Sequence, residues 1–144
     1  MKSILVWDWP LRVFHWTLAT LVVVSIVSGQ VGGNWIDWHS RSGIAIVGLL
    51  AFRLAWGVIG STHARFLSFV CGPRTILAYL RGEWRGIGHN PLGALSVLGL
   101  LSVLAAQAGT GLFGNDDIAF NGPLYALVDK STSDLAISWH KTIF

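Results

Sequence analysis

Residues 13–29 read VFHWTLATLVVVSIVSG, an apolar run whose one ionisable side chain is His15. A helix needs roughly 17–25 such residues to cross a bilayer, and two further stretches reach that length. Residues 43–60 (GIAIVGLLAFRLAWGVIG) carry Arg53 as their only charge, and residues 91–113 (PLGALSVLGLLSVLAAQAGTGLF) have Gln107 as their most polar member. A fourth run opens at Leu135 (LAISWHKTIF) and ends with the sequence at Phe144. Ten residues of helix rise roughly 15 Å, half of a hydrocarbon core. The pattern predicts an all-α transmembrane helical bundle in one domain, 1–144, with three full helices and the truncated start of a fourth.

Composition agrees. Of 144 residues, 53% are hydrophobic and 12% charged, whereas a soluble domain carries about 25% charged residues. Mean hydropathy is +0.59. So few charges cannot cover a soluble globule, and the same numbers exclude disorder. Eight tryptophans suit the interfacial belts where Trp concentrates. The single cysteine, Cys71, rules out an intrachain disulfide, and the absence of C-x-x-C-H rules out covalently attached c-type haem. Asp8, Trp9, Pro10 and Arg12 precede the first run and no small-residue cleavage site follows it, so that run is expected to be retained.

Punctuation marks the ends. Pro10 opens the first helix, and Gly29, Gly32 and Gly33 follow it. Asn90-Pro91 is an N-cap followed by proline at the first helical position. Pro73 to Gly82 (PRTILAYLRG) reads as a short interfacial helix, with Ile76, Leu77 and Leu80 on one face.

Lys and Arg set the orientation. The N-terminal tail and loop 61–90 hold Lys2, Arg12, Arg65, Arg74, Arg81 and Arg85. Loops 30–42 and 114–141 hold Arg41, Lys130 and Lys141, with Asp37, Asp116, Asp117, Asp129 and Asp134. Six against three places the N-terminus in the cytoplasm. The pI near 9.5 is therefore a positive-inside signature, and no nucleic-acid partner is expected.

The chemistry lies in the histidines, because ionisable groups inside a membrane are costly. His39, on the outer side, opens the second helix, and Gly43 lies four residues on, on the same face, where a missing side chain lets a flat ligand approach the backbone. His140 lies at the same outer level on the fourth run. Two imidazoles facing each other across a bundle are what a six-coordinate haem iron requires. His15 lies at the opposite level. Arg53 is 14 residues after His39, roughly 21 Å deeper, which brings it near His15, and a buried arginine needs an anion such as a haem propionate. The alternatives are interfacial histidines at 15 and 140, a polar loop histidine at 39, and an arginine snorkelling to lipid phosphate at 53. His63 and His89 read as loop histidines. No H-E-x-x-H, P-loop, G-x-S-x-G or G-x-G-x-x-G is present.

The opening Val6-Trp7-Asp8-Trp9-Pro10-Leu11-Arg12-Val13-Phe14-His15-Trp16 resembles the start of the bacterial cytochrome b561 family, which includes the b-type cytochrome subunits of nickel–iron hydrogenases. F-R-L-x-W-G (Phe52 to Gly57), A-R-F…G-P-R (Ala64 to Arg74) and G-H-N-P-L-G (Gly88 to Gly93) are similar to it as well. The resemblance implies a four-helix architecture binding two non-covalent b-type haems, one toward each face. It implies that His39 and His140 ligate the periplasmic-side haem and His15 the cytoplasmic-side one. In the family the partner of His15 lies about four turns beyond the position of His140. The sequence in hand stops at Phe144, so that haem is expected to be incomplete. The resemblance also implies quinone as one partner and a periplasmic cytochrome or membrane-associated redox enzyme as the other, in the bacterial inner membrane, among lipid and with a homodimer open. A membrane anchor without redox activity is the competing function, and a small transporter built on Arg53 and Gln107 a weaker one.

Overall fold

The computed structural model describes residues 7–86, 88–117 and 120–143. The first helix, α1 (Trp9–Val31), starts where two features coincide. The Asp8 carboxylate accepts the Leu11 amide at 3.0 Å, and Pro10 occupies the first turn, where its missing N–H costs nothing. The helix runs through Gly29 rather than ending there, and stops at Gly32, whose φ of +67° favours glycine. One turn of 3-10 helix (Gly33–Trp35) leads into α2 (Ile36–Ile59).

The buried residues of α2 are Ser42, Ile46, Leu50, Arg53 and Gly57. Their spacing of three and four is one helical stripe, and extending it back one turn reaches His39. The α1–α2 hairpin is antiparallel and tied at both ends. At one end Asp8 Oδ2 accepts from Trp56 Nε1 at 3.1 Å and Ser61 Oγ at 2.6 Å. At the opposite end His39 meets Ser25. Two short helices follow, α3 (Phe66–Phe69) and α4 (Pro73–Leu80). Gly82 after α4 has φ +76°, the stop that the sequence signals.

Helix α5 (Pro91–Leu112) is capped by Asn90, whose side-chain oxygen accepts the Gly93 amide at 2.6 Å. Helix α6 (Lys130–Ile143) begins five residues before the apolar run at Leu135. The Asp129 carboxylate accepts from the Thr132 amide at 2.8 Å and the Ser131 hydroxyl at 2.7 Å. Lys130 Nζ pairs with Asp134 one turn on and with Asp117. Capping and an i,i+4 pair thus extend the helix into residues that hydropathy alone reads as loop. Antiparallel to α5, α6 is pinned where Ser133 Oγ donates to the Phe113 carbonyl at 2.8 Å.

Helix α2 is central, packing on α1 and α5, and α6 packs on α5. Among the described residues, three segments are long and apolar enough to cross a membrane: Trp9–Val31, Gly33–Ile59 and Pro91–Leu112. The all-α bundle read from the sequence is the observed architecture. Its core is small, Leu11, Phe14 and Ala64 with Leu49, Phe52 and Trp56 around them. Leu54, Val58, Ile59 and Leu100 lie more than half exposed, as side chains do when lipid rather than protein covers them.

Candidate functional site

His39 and His140 stand side by side between the two hairpins. Their ring centres are 5.8 Å apart and the ring planes are at 89°. Each ring is fastened to the neighbouring helix by the same atom. His39 Nδ1 lies 2.8 Å from the Ser25 carbonyl oxygen of α1, and His140 Nδ1 lies 2.8 Å from the Gln107 carbonyl oxygen of α5. A carbonyl oxygen only accepts, so each Nδ1 carries the hydrogen and each Nε2 keeps its lone pair. That is the tautomer of a neutral metal-binding imidazole with its other nitrogen held by an outer partner. Ser25 Oγ and Thr110 Oγ1 approach the same two nitrogens at 3.3 Å.

Sequence reading placed His39 and His140 at one level, and they are neighbours. It did not identify their supports. Ser25 reads as a small packing residue, Gly29 as a helix stop and Gln107 as an isolated polar group. Each ring lies against a glycine: a Cβ at Gly29 would come within 2.8 Å of His39 Nδ1, and one at Gly111 within 2.9 Å of His140 Cε1. The signal in the sequence is the repeated spacing of four, Ser25 to Gly29 and Gln107 to Gly111. A Cβ at Gly43 would meet nothing within 4 Å, so the α2 backbone is open to a flat ligand there. Gln107 Nε2 donates to the His140 carbonyl at 3.0 Å, while its buried Oε1 has no hydrogen-bond partner among the described residues.

At the other end, Arg53 is 4% exposed, which excludes snorkelling of its side chain to a surrounding headgroup layer. Its guanidinium carbon lies 4.4 Å over the Phe66 ring, an attraction between cation and ring quadrupole. Phe66 reaches that position because Gly57, one turn after Arg53, has no Cβ to block it. Arg53 Nη1 has no hydrogen-bond partner among the described residues. The charge of Arg53 acts on both Asp8 and His89. Burial works to raise the Asp8 pKa, but hydrogen bonds from Ser61, Leu11 and Trp56 and the Arg53 charge hold it below the ordinary carboxylate value. Burial, then the Arg53 charge, depress His89, whose ring packs 5.1 Å from Phe69. His89 is thus a neighbour of the Arg53 cluster, a placement the sequence did not suggest. His63 is half-buried beside Ala64.

His15 is exposed, with Trp7 and Trp16 edge-on at 5.4 and 5.5 Å. Its ring neighbours among the described residues include no second imidazole. An apolar groove of about 450 Å³ between the start of α1 and α2 is lined by Trp9, Pro10, Val13, Phe14, Leu49 and Phe52, side chains that supply no ligand to a metal. No group of three or more His, Cys, Asp or Glu that could hold a bare metal ion occurs among the described residues. A pair of imidazoles instead suits an iron whose other ligands come from a macrocycle.

The uncharacterized ABC transporter permease YbbP of Escherichia coli (strain K12) is 25% identical to this chain over 129 residues. That match covers 89% of this chain but 16% of the permease, so the chain spans about a sixth of that protein's length. No solved structure matches. The family model of prokaryotic cytochrome b561 matches residues 6–144, which takes in both fastened histidines, Arg53 and all six helices. The chain belongs to the prokaryotic cytochrome b561 family, membrane b-type cytochromes that bind haem b and transfer electrons.

Proposed function

We propose that this protein carries electrons across or along the bacterial inner membrane through haem b held between His39 and His140 near the periplasmic face, with its N-terminus in the cytoplasm. The single observation that carries the reading is the histidine pair itself: two rings on different helices, both with Nδ1 on a backbone carbonyl and Nε2 available. When bound, haem b supplies the one-electron iron couple, and the protein supplies binding, orientation and electrostatics. His39 and His140 would hold the haem iron through their Nε2 atoms. Gly43 leaves room at the α2 backbone, and the apolar helices keep water away. With both imidazoles engaged the site would suit electron transfer rather than substrate activation.

At the cytoplasmic level, Arg53, whose Nη1 has no hydrogen-bond partner among the described residues, would hold a propionate or other anion, and His15 would ligate a second haem once an opposing imidazole is supplied. The electron partners we infer are quinone on one side and a periplasmic cytochrome or a membrane-associated redox enzyme on the other. The test is the visible spectrum of the purified chain with pyridine haemochrome analysis. Protohaem with a low-spin bis-histidine spectrum is expected. Its loss in His39→Ala and His140→Ala supports the pairing, and full retention in both variants overturns it.

A further inference from the structure

We propose that Gly29 and Gly111 are positioning residues of the histidine pair, matched notches that seat each ring on the carbonyl one turn earlier and so set the orientation and tautomer of both ligands. The proposal rests on the haem reading above. Ser25 and Gly29 are four apart on α1, and Gln107 and Gly111 are four apart on α5. In a helix the carbonyl of residue i bonds the amide of i+4, and the side chain at i+4 stands beside it. A carbonyl oxygen has a second lone pair. With glycine at i+4, that lone pair is open to a donor from the next helix, and the ring nitrogens sit there.

The spacing alone would be a weak sign, because small residues serve close helix packing in membranes. Close packing, however, brings backbone against the glycine. Here, the three nearest atoms to a Cβ at Gly29 all belong to the His39 ring, and those at Gly111 all belong to the His140 ring. Gly99 and Gly109 sit in α5 with Gly111, and Gly43 and Gly48 in α2 with His39, and a Cβ on any of them meets nothing within 4 Å. The two notches are therefore specific to the two histidines. They are not equivalent in what surrounds them. His140 is held twice from α5, by its ring on the Gln107 carbonyl and by the Gln107 side chain on its own carbonyl, whereas the His39 carbonyl accepts from Ser42 Oγ of its own helix at 3.0 Å.

A methyl group at either notch must displace the ring, since 2.8 and 2.9 Å are shorter than any real Cβ contact. The Nδ1–H then loses its acceptor, and the imidazole loses the outer partner that fixes its tautomer and raises its basicity. Losing such a partner costs about 10–100-fold in metal affinity. The less basic ligand also stabilises oxidised iron less, so the midpoint potential moves positive.

The experiment compares the full chain with Gly29→Ala, Gly111→Ala and the control Gly109→Ala. Haem per protein, the low-spin absorption bands, the midpoint potential and thermal unfolding are measured for each. Alanine is otherwise the better helix former, so the control should match or exceed the parent. The notch variants should retain haem about tenfold less well, at a raised potential. If His39→Ala loses the low-spin spectrum while both notch variants behave as Gly109→Ala does, this proposal is wrong and the haem reading stands. If His39→Ala and His140→Ala leave the spectrum intact, both fall. Should Gly29→Ala fail to fold, the double variant His39→Gly/Gly29→Ala decides. It folds if the clash was with the ring, and fails again if the glycine serves helix packing, which overturns the proposal.

Discussion

Asp8 does more at the residue scale than its place before an apolar run suggests. One carboxylate caps α1, holds the end of α2 through Trp56 and holds the following loop through Ser61. Asp8→Ala should destabilise the fold by about 1–2 kcal/mol from the cap alone, with a further loss as the Trp56 and Ser61 donors go unpaired. Its folded pKa is lowered, so its contribution is present above the unfolded value of about 3.9 and is lost as pH falls through the folded one. Thermal unfolding in detergent should therefore show a loss of stability as pH falls below about 3.9, smaller in Asp8→Asn, with Asp129, whose pKa is lowered as well, contributing to what remains. An unchanged pH dependence in Asp8→Asn would refute this role. The closeness of His39 and His140 was legible in the sequence because depth follows from counting along a helix. Asp8, Ser25 and Gln107 were not, because their partners lie on other segments and two of the three act through backbone atoms that no side-chain pattern encodes.

Among the elements, α1, α2 and α5 were visible as long apolar runs, and Asn90-Pro91 announced the start of α5. The start of α6 was not visible, because the Asp129 cap and the Lys130–Asp134 pair carry the helix into polar sequence. Gly29 misled for a related reason: glycine ends helices when the backbone needs a positive φ, and here it serves instead as empty space. The same logic governs Gly57. A Cβ there would meet the Phe66 ring at 2.0 Å, so Gly57→Ala must evict Phe66 from beneath Arg53. Overpacking of this kind costs about 1–3 kcal/mol, and the Arg53 guanidinium loses its aromatic face as well. A melting temperature equal to the parent's would show that the loop yields freely. By contrast, Asn90→Ala removes only a cap, and about 1 kcal/mol is expected, readable as a small uniform shift of the unfolding curve.

On the scale of the molecule, two antiparallel hairpins, α1–α2 and α5–α6, meet through the contact of α2 with α5. The charge bias of the loops predicts that a reporter fused at the N-terminus is active only in the cytoplasm and one inserted after Asn34 only in the periplasm; the reverse pattern would invert the topology. One haem per chain is expected for these 144 residues on the proposed reading, in which His39 and His140 would serve one iron, since His15 has tryptophans for ring neighbours among the described residues. A ratio of two would mean that His15 has found an imidazole elsewhere. Because each hairpin seats its own histidine, the 89° between the ring planes is set by how the hairpins cross. Parallel imidazole planes would act unequally on the two iron d orbitals of π symmetry and split them, whereas crossed planes act on both alike and leave them nearly equal in energy. Ferric iron held in this cradle should therefore give a strongly anisotropic magnetic resonance spectrum, a single broad low-field feature in place of three resolved lines. Any substitution that rotated one hairpin against the other would announce itself as a change in that line shape.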